Sequence, residues 1–267
     1  MKIIQQSPWQ IQKSVVFALF IRELRSRFGR FKLGYVWALA EPFFTILAFC
    51  LVRMAMGSGS IEGLAFPIFF ASGMLIYTIF SNIGQAMIGL VESNLVLMNY
   101  QRIKPMDPLI ARSLLEIIIC AASIVVILGG FYWAGYTFTW NSTLGFIAVF
   151  FLISAFSFGI GCIFAVVSLL FQEFKKIAPI VIRPLFFMSG IFFSTNSIPD
   201  HLLPYLLWNP VLHAIELGRG TMFIEYENLH GNWAFLCFSA LASLALGLAL
   251  FHHYQRKLVT SGTVKLV

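Results

Sequence analysis

Long apolar stretches constrain this chain more than any other feature. A helix that crosses the roughly 30 Å of hydrocarbon in a bilayer needs about 20 mostly apolar residues. Charged residues make up only 11% of the sequence, against about 25% in soluble domains. The sequence therefore predicts an all-α membrane protein with six transmembrane helices, at residues 33–56, 66–91, 109–134, 143–171, 177–194 and 233–253.

Basic residues set the predicted orientation. Most Lys and Arg residues precede the first span, follow the sixth, or lie between spans two and three or four and five. Cytoplasmic connections are enriched in Lys and Arg, so both termini are expected in the cytoplasm and residues 195–232 outside. The predicted parts are a cytoplasmic N-terminus over 1–32, a transmembrane domain over 33–253 and a cytoplasmic tail over 254–267.

The segment before the first span is expected to form an amphipathic helix over residues 14–32. Apolar residues recur at every fourth position from Val16 to Phe28, and basic residues fall mostly on the other face, with Arg27 as an exception. Such a helix lies in the membrane interface. Periodicity favours a lipid-surface anchor; the alternative is a lever that also contacts a cytosolic partner.

Glu41 is an unusual residue because it lies about two turns into the first span. A carboxylate at the bilayer centre costs roughly 2.5–3.5 kcal/mol on insertion scales, so it normally faces protein or water. Arg183 lies at a similar predicted depth in the fifth span. We expect either that both line the entrance of a pathway, with Tyr35 and Trp37 at the headgroup boundary, or that the two form an ion pair that stabilises packing.

Two predicted cytoplasmic connections, 92–116 and 171–176, are candidates for docking a cytosolic partner. Pro105 and Pro108 prevent one continuous helix in the first, which favours a short helix and a turn. Both connections also fit ordinary solvated loops. The candidate docking residues are Arg102, Lys104, Asp107, Glu173 and Lys175.

The outer connection contains apolar segments that are too short to cross a bilayer. Two segments that enter the outer leaflet and return fit this pattern if protein or water covers their backbone. A helix beginning near Pro210 would place His213, Glu216 and Arg219 on one side at steps of three residues. This ridge is expected to line or brace an exit, or to hold the re-entrant hairpin through a Glu216–Arg219 pair.

Several motifs are missing from the sequence. The chain has no GxxxxGK[ST] phosphate loop and no Gly-Lys pair, so ATP binding by that route is excluded. Metal-ligand and hydrolase motifs are also missing, and the basic N-terminus does not indicate nucleic-acid binding. The chain is therefore expected to be non-enzymatic alone, with no cofactor or metal of its own.

Three motifs carry a resemblance to a known family. "LGYVWALAEP" (33–42), "RIKPMDPLIARSLLE" (102–116) and "NPVLHAIELGRG" (209–220), with six spans and inside termini, resemble the ABC-2-type permeases that export polysaccharide. Among these the chain is most similar to the inner-membrane subunit of group 2 capsule exporters. The resemblance covers essentially the whole chain.

That resemblance implies a function and partners. The chain would move lipid-capped capsular polysaccharide across the bacterial inner membrane as a homodimer, with two nucleotide-binding subunits that bind Mg and hydrolyse ATP. A periplasmic co-polymerase or adaptor and an outer-membrane export protein would receive the polymer. By position, residues 14–32 would be the connecting helix, 102–107 the coupling turn, 171–176 a smaller cytosolic contact and 196–230 the re-entrant helices.

Two other functions fit parts of the pattern. An exporter of the same fold could carry O-antigen, teichoic acid, lipid or a drug. An ion-coupled secondary transporter would need midplane acids in discontinuous, repeated helices. Glu41 and Glu116 do not occupy corresponding halves of the chain, so the sequence favours an exporter.

Overall fold

The computed structural model describes residues 7–29, 34–57, 60–98, 103–136 and 138–264, and the side chains of 34–36, 98 and 256–264 lie outside that description. The regular secondary structure of this part of the chain is helical, as predicted, apart from one isolated bridge between Ile61 and Leu64. The helices are α1 (Pro8–Phe28), α2 (Gly34–Ala55), α3 (Phe66–Ala86), α4 (Leu90–Ser93), α5 (Leu95–Met98), α6 (Asp107–Trp133), α7 (Thr143–Leu170), α8 (Phe174–Met188), α9 (Leu203–Leu206), α10 (Pro210–Met222) and α11 (Trp233–Val264), with a 3-10 turn at Thr195–Ser197.

Five helices of the described chain are long and apolar enough to cross a membrane, namely α2, α3, α6, α7 and α11. The predicted fifth span, 177–194, is a shorter helix: α8 has 15 residues and contains both Pro179 and Pro184. Gly190 follows it with a φ of 75°, a left-handed conformation that glycine adopts without steric cost. The helix therefore ends near Gly190, and the count of six spans remains a prediction.

Helix α8 packs along α3 and runs in the opposite direction. The Lys175 side chain lies beside Gly89, just past the end of α3, and the Ile191 backbone lies beside Gly73 together with the Arg219 guanidinium. Between these points the Tyr77 hydroxyl donates a hydrogen bond to the Ile182 carbonyl at 2.8 Å. Because residue numbers rise along α8 as they fall along α3, the two helices are antiparallel.

Helices α7 and α11 are parallel and in backbone contact. A Cβ atom on Gly159 would lie 2.4 Å from the Ser243 carbonyl carbon, and one on Gly247 would lie 2.3 Å from the Gly159 carbonyl oxygen. The Ser243 hydroxyl also donates to the Phe156 carbonyl at 3.2 Å. Small residues allow this approach, as they do in many membrane helix pairs.

Helix α1 packs against α6 rather than standing apart from it. It begins at Pro8, earlier than the predicted residue 14, because Ser7 and Gln10 form a capping box. The Gln12 amide donates to the Asp107 carboxylate at the first residue of α6. Arg27, the exception in the amphipathic pattern, pairs with Glu116 on the third turn of α6. Polar contacts as well as apolar surface therefore fix this helix.

Candidate functional site

A polar cleft of about 410 Å³ lies among α1, α2, α3, α6 and α8. Polar residues inside a helical membrane protein normally face protein or a water-filled cavity, since lipid cannot solvate them. Apolar and aromatic side chains, including Tyr77 and Phe186, form part of its wall. The polar lining residues other than Tyr77 are Arg27, Glu41, Thr78, Ser81, Asn82, Gln85, Arg112 and Glu116.

Helix α3 supplies the uncharged part of this lining. Thr78, Ser81, Asn82 and Gln85 follow one another at steps of three, one and three residues, which places them on one helical face. Most of the rest of α3 is buried against its neighbours. This polar stripe was missed in the sequence analysis, although its helical spacing in an apolar span would have indicated it.

A cluster of charges lies at one side of the cleft. Glu116 is 1% exposed, and it pairs with Arg27 and, at 3.1 Å, with Arg112. Arg112 also contacts Glu23 at 3.2 Å, and Glu23 pairs with Arg22. Three arginines thus share two carboxylates, and Arg27, Arg112 and Glu116 are the members of this cluster that line the cleft.

The predicted entrance residues are not all together. Glu41 lines the cleft, whereas Arg183 and Trp37 are exposed elsewhere. Within the described residues Glu41 and Arg183 form no ion pair. The side chain of Tyr35 lies outside the described residues. Glu41 is therefore the predicted entrance residue that the structure places among the polar groups of the cleft.

The predicted docking residues differ in exposure. Arg102 lies outside the described residues, while Lys104 and Glu173 are exposed. Asp107 is buried, and its carboxylate accepts from the Lys104 amide at 2.8 Å. Asp107 therefore anchors the start of α6 instead of facing solvent.

Lys175 joins the two predicted cytoplasmic connections, since it forms an ion pair with Glu92 of α4. Just before α4, the Gly89 amide donates to the Ser168 hydroxyl of α7 at 3.0 Å, which holds α4 against α7. The short helices α4 and α5 were not singled out from the sequence, and Val96 of α5 is exposed. A helix of four residues is only about one turn long, so it shows no recognisable hydrophobic periodicity in the sequence.

In the predicted outer connection, Arg219 of α10 is completely buried. Its guanidinium donates to the carbonyls of Gly190 at 2.7 Å, Phe69 at 3.1 Å and Ile191 at 3.1 Å. The guanidinium carbon lies 3.6 Å from the centre of the Phe69 ring, within the range of a cation–π interaction. Arg219 thus holds the turn after α8 against α3.

Glu216 completes this brace. One of its carboxylate oxygens lies 3.5 Å from the Arg219 guanidinium. The other accepts hydrogen bonds from the Thr195 hydroxyl at 2.9 Å and the Tyr226 hydroxyl at 2.7 Å. Burial raises the pKa of Tyr226, so its phenol remains a neutral donor. The pair is buried, as in the predicted hairpin-holding arrangement, and does not face an opening.

His213 links two further parts of the outer connection. Its Nδ1 accepts from the Asn232 backbone amide at 3.1 Å, so the proton belongs on Nε2, which donates to the Leu207 carbonyl at 2.8 Å. Burial lowers the pKa of His213, which favours this neutral form. The side chain therefore ties the end of α9 to the start of α11.

Both ends of α10 lie beside the starts of parallel helices. Asn232, just before α11, contacts His213, and the Ser142 amide, just before α7, donates to the Thr221 carbonyl at 2.8 Å.

We expect single cysteines at exposed His201 and Glu227, in a background without native cysteines, to react with an impermeant thiol reagent from the same, periplasmic side. Labelling of only one site in sealed cells, with both reacting after permeabilisation, would contradict this topology.

Comparisons with known proteins agree with this architecture. Residues 14–223 match the ABC-2 type transporter family. The chain is 37% identical to the polysialic acid transport protein KpsM of Escherichia coli, over 96% of this chain and 99% of that protein. It is 26% identical to the capsule polysaccharide export inner-membrane proteins CtrC of Neisseria meningitidis and BexB of Haemophilus influenzae, over 92% of this chain and 93% of each. The chain belongs to the ABC-2 type transporter family.

Proposed function

We propose that this chain is the permease subunit of an ABC exporter that moves capsular polysaccharide across the bacterial inner membrane. The observation that carries the proposal is the polar cleft within a bundle of apolar helices. The names of relatives at 26% and 37% identity, which specify capsule polysaccharide export or polysialic acid transport, support a glycan substrate over a lipid or a drug. Both termini would lie in the cytoplasm.

The cleft has the chemistry to accept a glycan at the entrance of the pathway. Amide and hydroxyl groups of Ser81, Asn82 and Gln85 can exchange hydrogen bonds with sugar hydroxyls. The half-buried Phe186 ring offers apolar surface for the CH groups of a sugar ring. Glu41 would accept hydrogen bonds from hydroxyls on the open side.

Energy for export would come from separate subunits. In this proposal two ATPase subunits, which hold the ATP and Mg, bind a homodimer of this chain at the surface formed by α4, α5 and the 171–176 connection. The Glu92–Lys175 pair supports this assignment because it makes the two connections one surface. A periplasmic adaptor or co-polymerase and an outer-membrane export protein would act downstream.

Filling the cleft tests the proposed pathway. In cells whose own capsule permease is deleted, we expect the wild-type chain to restore surface polysaccharide when its ATPase subunit is supplied, and Ser81→Trp to reduce it close to background. The indole would occupy space that the glycan needs. Surface polymer is measured by staining, and membrane levels and ATPase co-purification are measured alongside.

Leu246→Trp is the control, because Leu246 is an exposed side chain on α11, away from the cleft. It should export as the wild type does. Normal export by Ser81→Trp, at normal protein levels, would remove the cleft from the pathway. ATP hydrolysis by the purified chain without the ATPase subunit would contradict its assignment as a permease.

A further inference from the structure

An apolar groove of about 630 Å³ runs between α1 and α6, on a different face from the polar cleft. Phe17 and Phe20 of α1 and Ile110, Leu114 and Ile118 of α6 line it. Phe17, Leu114 and Ile118 remain exposed. The polar contacts described above, from Gln12 to Asp107 and from Arg27 to Glu116, hold the two helices that form its walls. The groove is therefore a built feature and not a gap between loosely placed helices.

The length of the groove matches one leaflet of a bilayer. On α1 the residues that line the groove run from Trp9 to Phe20, a separation of 11 residues (20 − 9). At 1.5 Å per residue this distance is about 16 Å. Half of the hydrocarbon core measures about 15 Å. A lipid acyl chain in the leaflet that contains α1 would thus extend along the groove from the headgroup level to the bilayer centre.

The end of the groove near Asp107 carries the groups that a lipid headgroup needs. Trp9 and Lys13 line it one turn apart on α1, and indole rings favour the headgroup region. Lys13 is exposed and has no ion pair within the described residues. The nearby carboxylate of Asp107 is already bonded by Gln12 and the Lys104 amide.

The charge of α1 favours an anionic headgroup over a zwitterionic one. Four basic residues and one acidic residue occur between Pro8 and Phe28. Two of the basic residues, Lys13 and Arg25, are exposed and form no ion pair within the described residues. We propose that the α1–α6 groove binds an acyl chain of an anionic phospholipid, with the headgroup phosphate at Lys13. This lipid would fasten α1 to α6, so the helix is both an anchor and a part of the bundle. The proposal does not depend on the exported substrate.

Native mass spectrometry of the purified full-length chain tests the site. We expect phosphatidylglycerol to bind more tightly than phosphatidylcholine with the same acyl chains. Lys13→Gln should weaken phosphatidylglycerol binding about fivefold, the effect of about 1 kcal/mol for one basic residue near the headgroups. It should weaken phosphatidylcholine binding less, because the choline cation offsets the phosphate charge. Leu114→Trp should weaken the binding of both lipids because the indole fills the groove.

Lys176→Gln is the matched control, since Lys176 is exposed at the start of α8. It should bind both lipids as the wild type does. Equal losses in Lys13→Gln and Lys176→Gln would indicate a bulk charge effect and overturn the site. Unchanged lipid binding by Leu114→Trp would overturn the groove.

The position of the acyl chain can be tested separately. Phosphatidylglycerol with a diazirine in its acyl chain should cross-link to peptides containing Ile110–Ile118 when it is photolysed with the full-length chain in nanodiscs. Leu114→Trp should abolish this cross-link. Cross-linking confined to other helices, or an efficient disulfide between two copies of Phe17→Cys that excludes the lipid, would show that another occupant covers the groove.

Discussion

Replacing Arg219 by methionine is expected to destabilise this protein by about 3–5 kcal/mol, the usual cost of removing one partner from a buried ion pair. The substitution keeps much of the apolar stem but leaves the Glu216 carboxylate without its counter-ion at 0% exposure. It also removes the donors for the carbonyls of Gly190, Phe69 and Ile191. The turn after α8 would lose its attachment to α3.

Thermal unfolding in detergent, followed by size-exclusion chromatography, measures this effect. Arg183→Met is the matched control, because Arg183 is an exposed arginine on α8 with no ion pair in the described residues. It should unfold near the wild-type temperature.

The double variant Arg219→Met/Glu216→Gln should recover part of the loss, since no uncompensated charge remains buried. If Arg219→Met is as stable as Arg183→Met, the buried pair does not brace the outer connection. If the double variant is no more stable than Arg219→Met, the lost carbonyl contacts, and not the unpaired carboxylate, account for the effect.

The second large effect is expected at the contact of α7 and α11. In Gly159→Leu the new side chain would begin 2.4 Å from the Ser243 carbonyl carbon, 2.5 Å from the Leu244 amide nitrogen and 2.6 Å from the Ser243 carbonyl oxygen. These are backbone atoms, so no rotamer change relieves the clash. Overpacking of a well-packed core by a few methylenes costs about 1–3 kcal/mol, and separation of the two helices should exceed that range.

Gly129→Leu provides the comparison, because a Cβ atom on Gly129 meets nothing within 4 Å. We expect Gly129→Leu to accumulate in the membrane at the wild-type level and Gly159→Leu to be largely degraded or aggregated. Quantitative blotting of membranes and the fraction of monodisperse protein after extraction distinguish the two. Wild-type accumulation of Gly159→Leu would mean that α7 and α11 do not approach as closely as described.

Local features of this protein were predictable because they depend on short-range chemistry. Long apolar stretches predicted helices at α2, α3, α6, α7 and α11. Pro210 suits the first turn of a helix, and α10 begins there, with the Asn209 side chain accepting the Val211 amide. The spacing of Glu216 and Arg219 likewise brought two opposite charges to one side of that helix.

The length of the helix at the fifth predicted span could not be predicted from local sequence. Its apolar residues predicted a span over 177–194, a stretch that contains Pro179 and Pro184. Both prolines lie within α8, and the helix ends at Met188 before the positive φ of Gly190. Neighbouring helices and side chains can satisfy the backbone groups that a proline frees in a bundle, and the sequence does not specify those neighbours.

Tertiary structure alone decided which polar groups meet. Arg27 and Glu116 are 89 residues apart and form a pair, while Glu41 and Arg183, at similar predicted depths, do not. In a membrane protein, lipid is as apolar as the packed interior, so hydrophobic periodicity does not distinguish the face that packs from the face that meets lipid. The sequence by itself therefore determined the helices and their chemistry. Helix packing determined that Arg219 is buried, that the stripe on α3 faces a cleft, and that α1 and α6 enclose a groove.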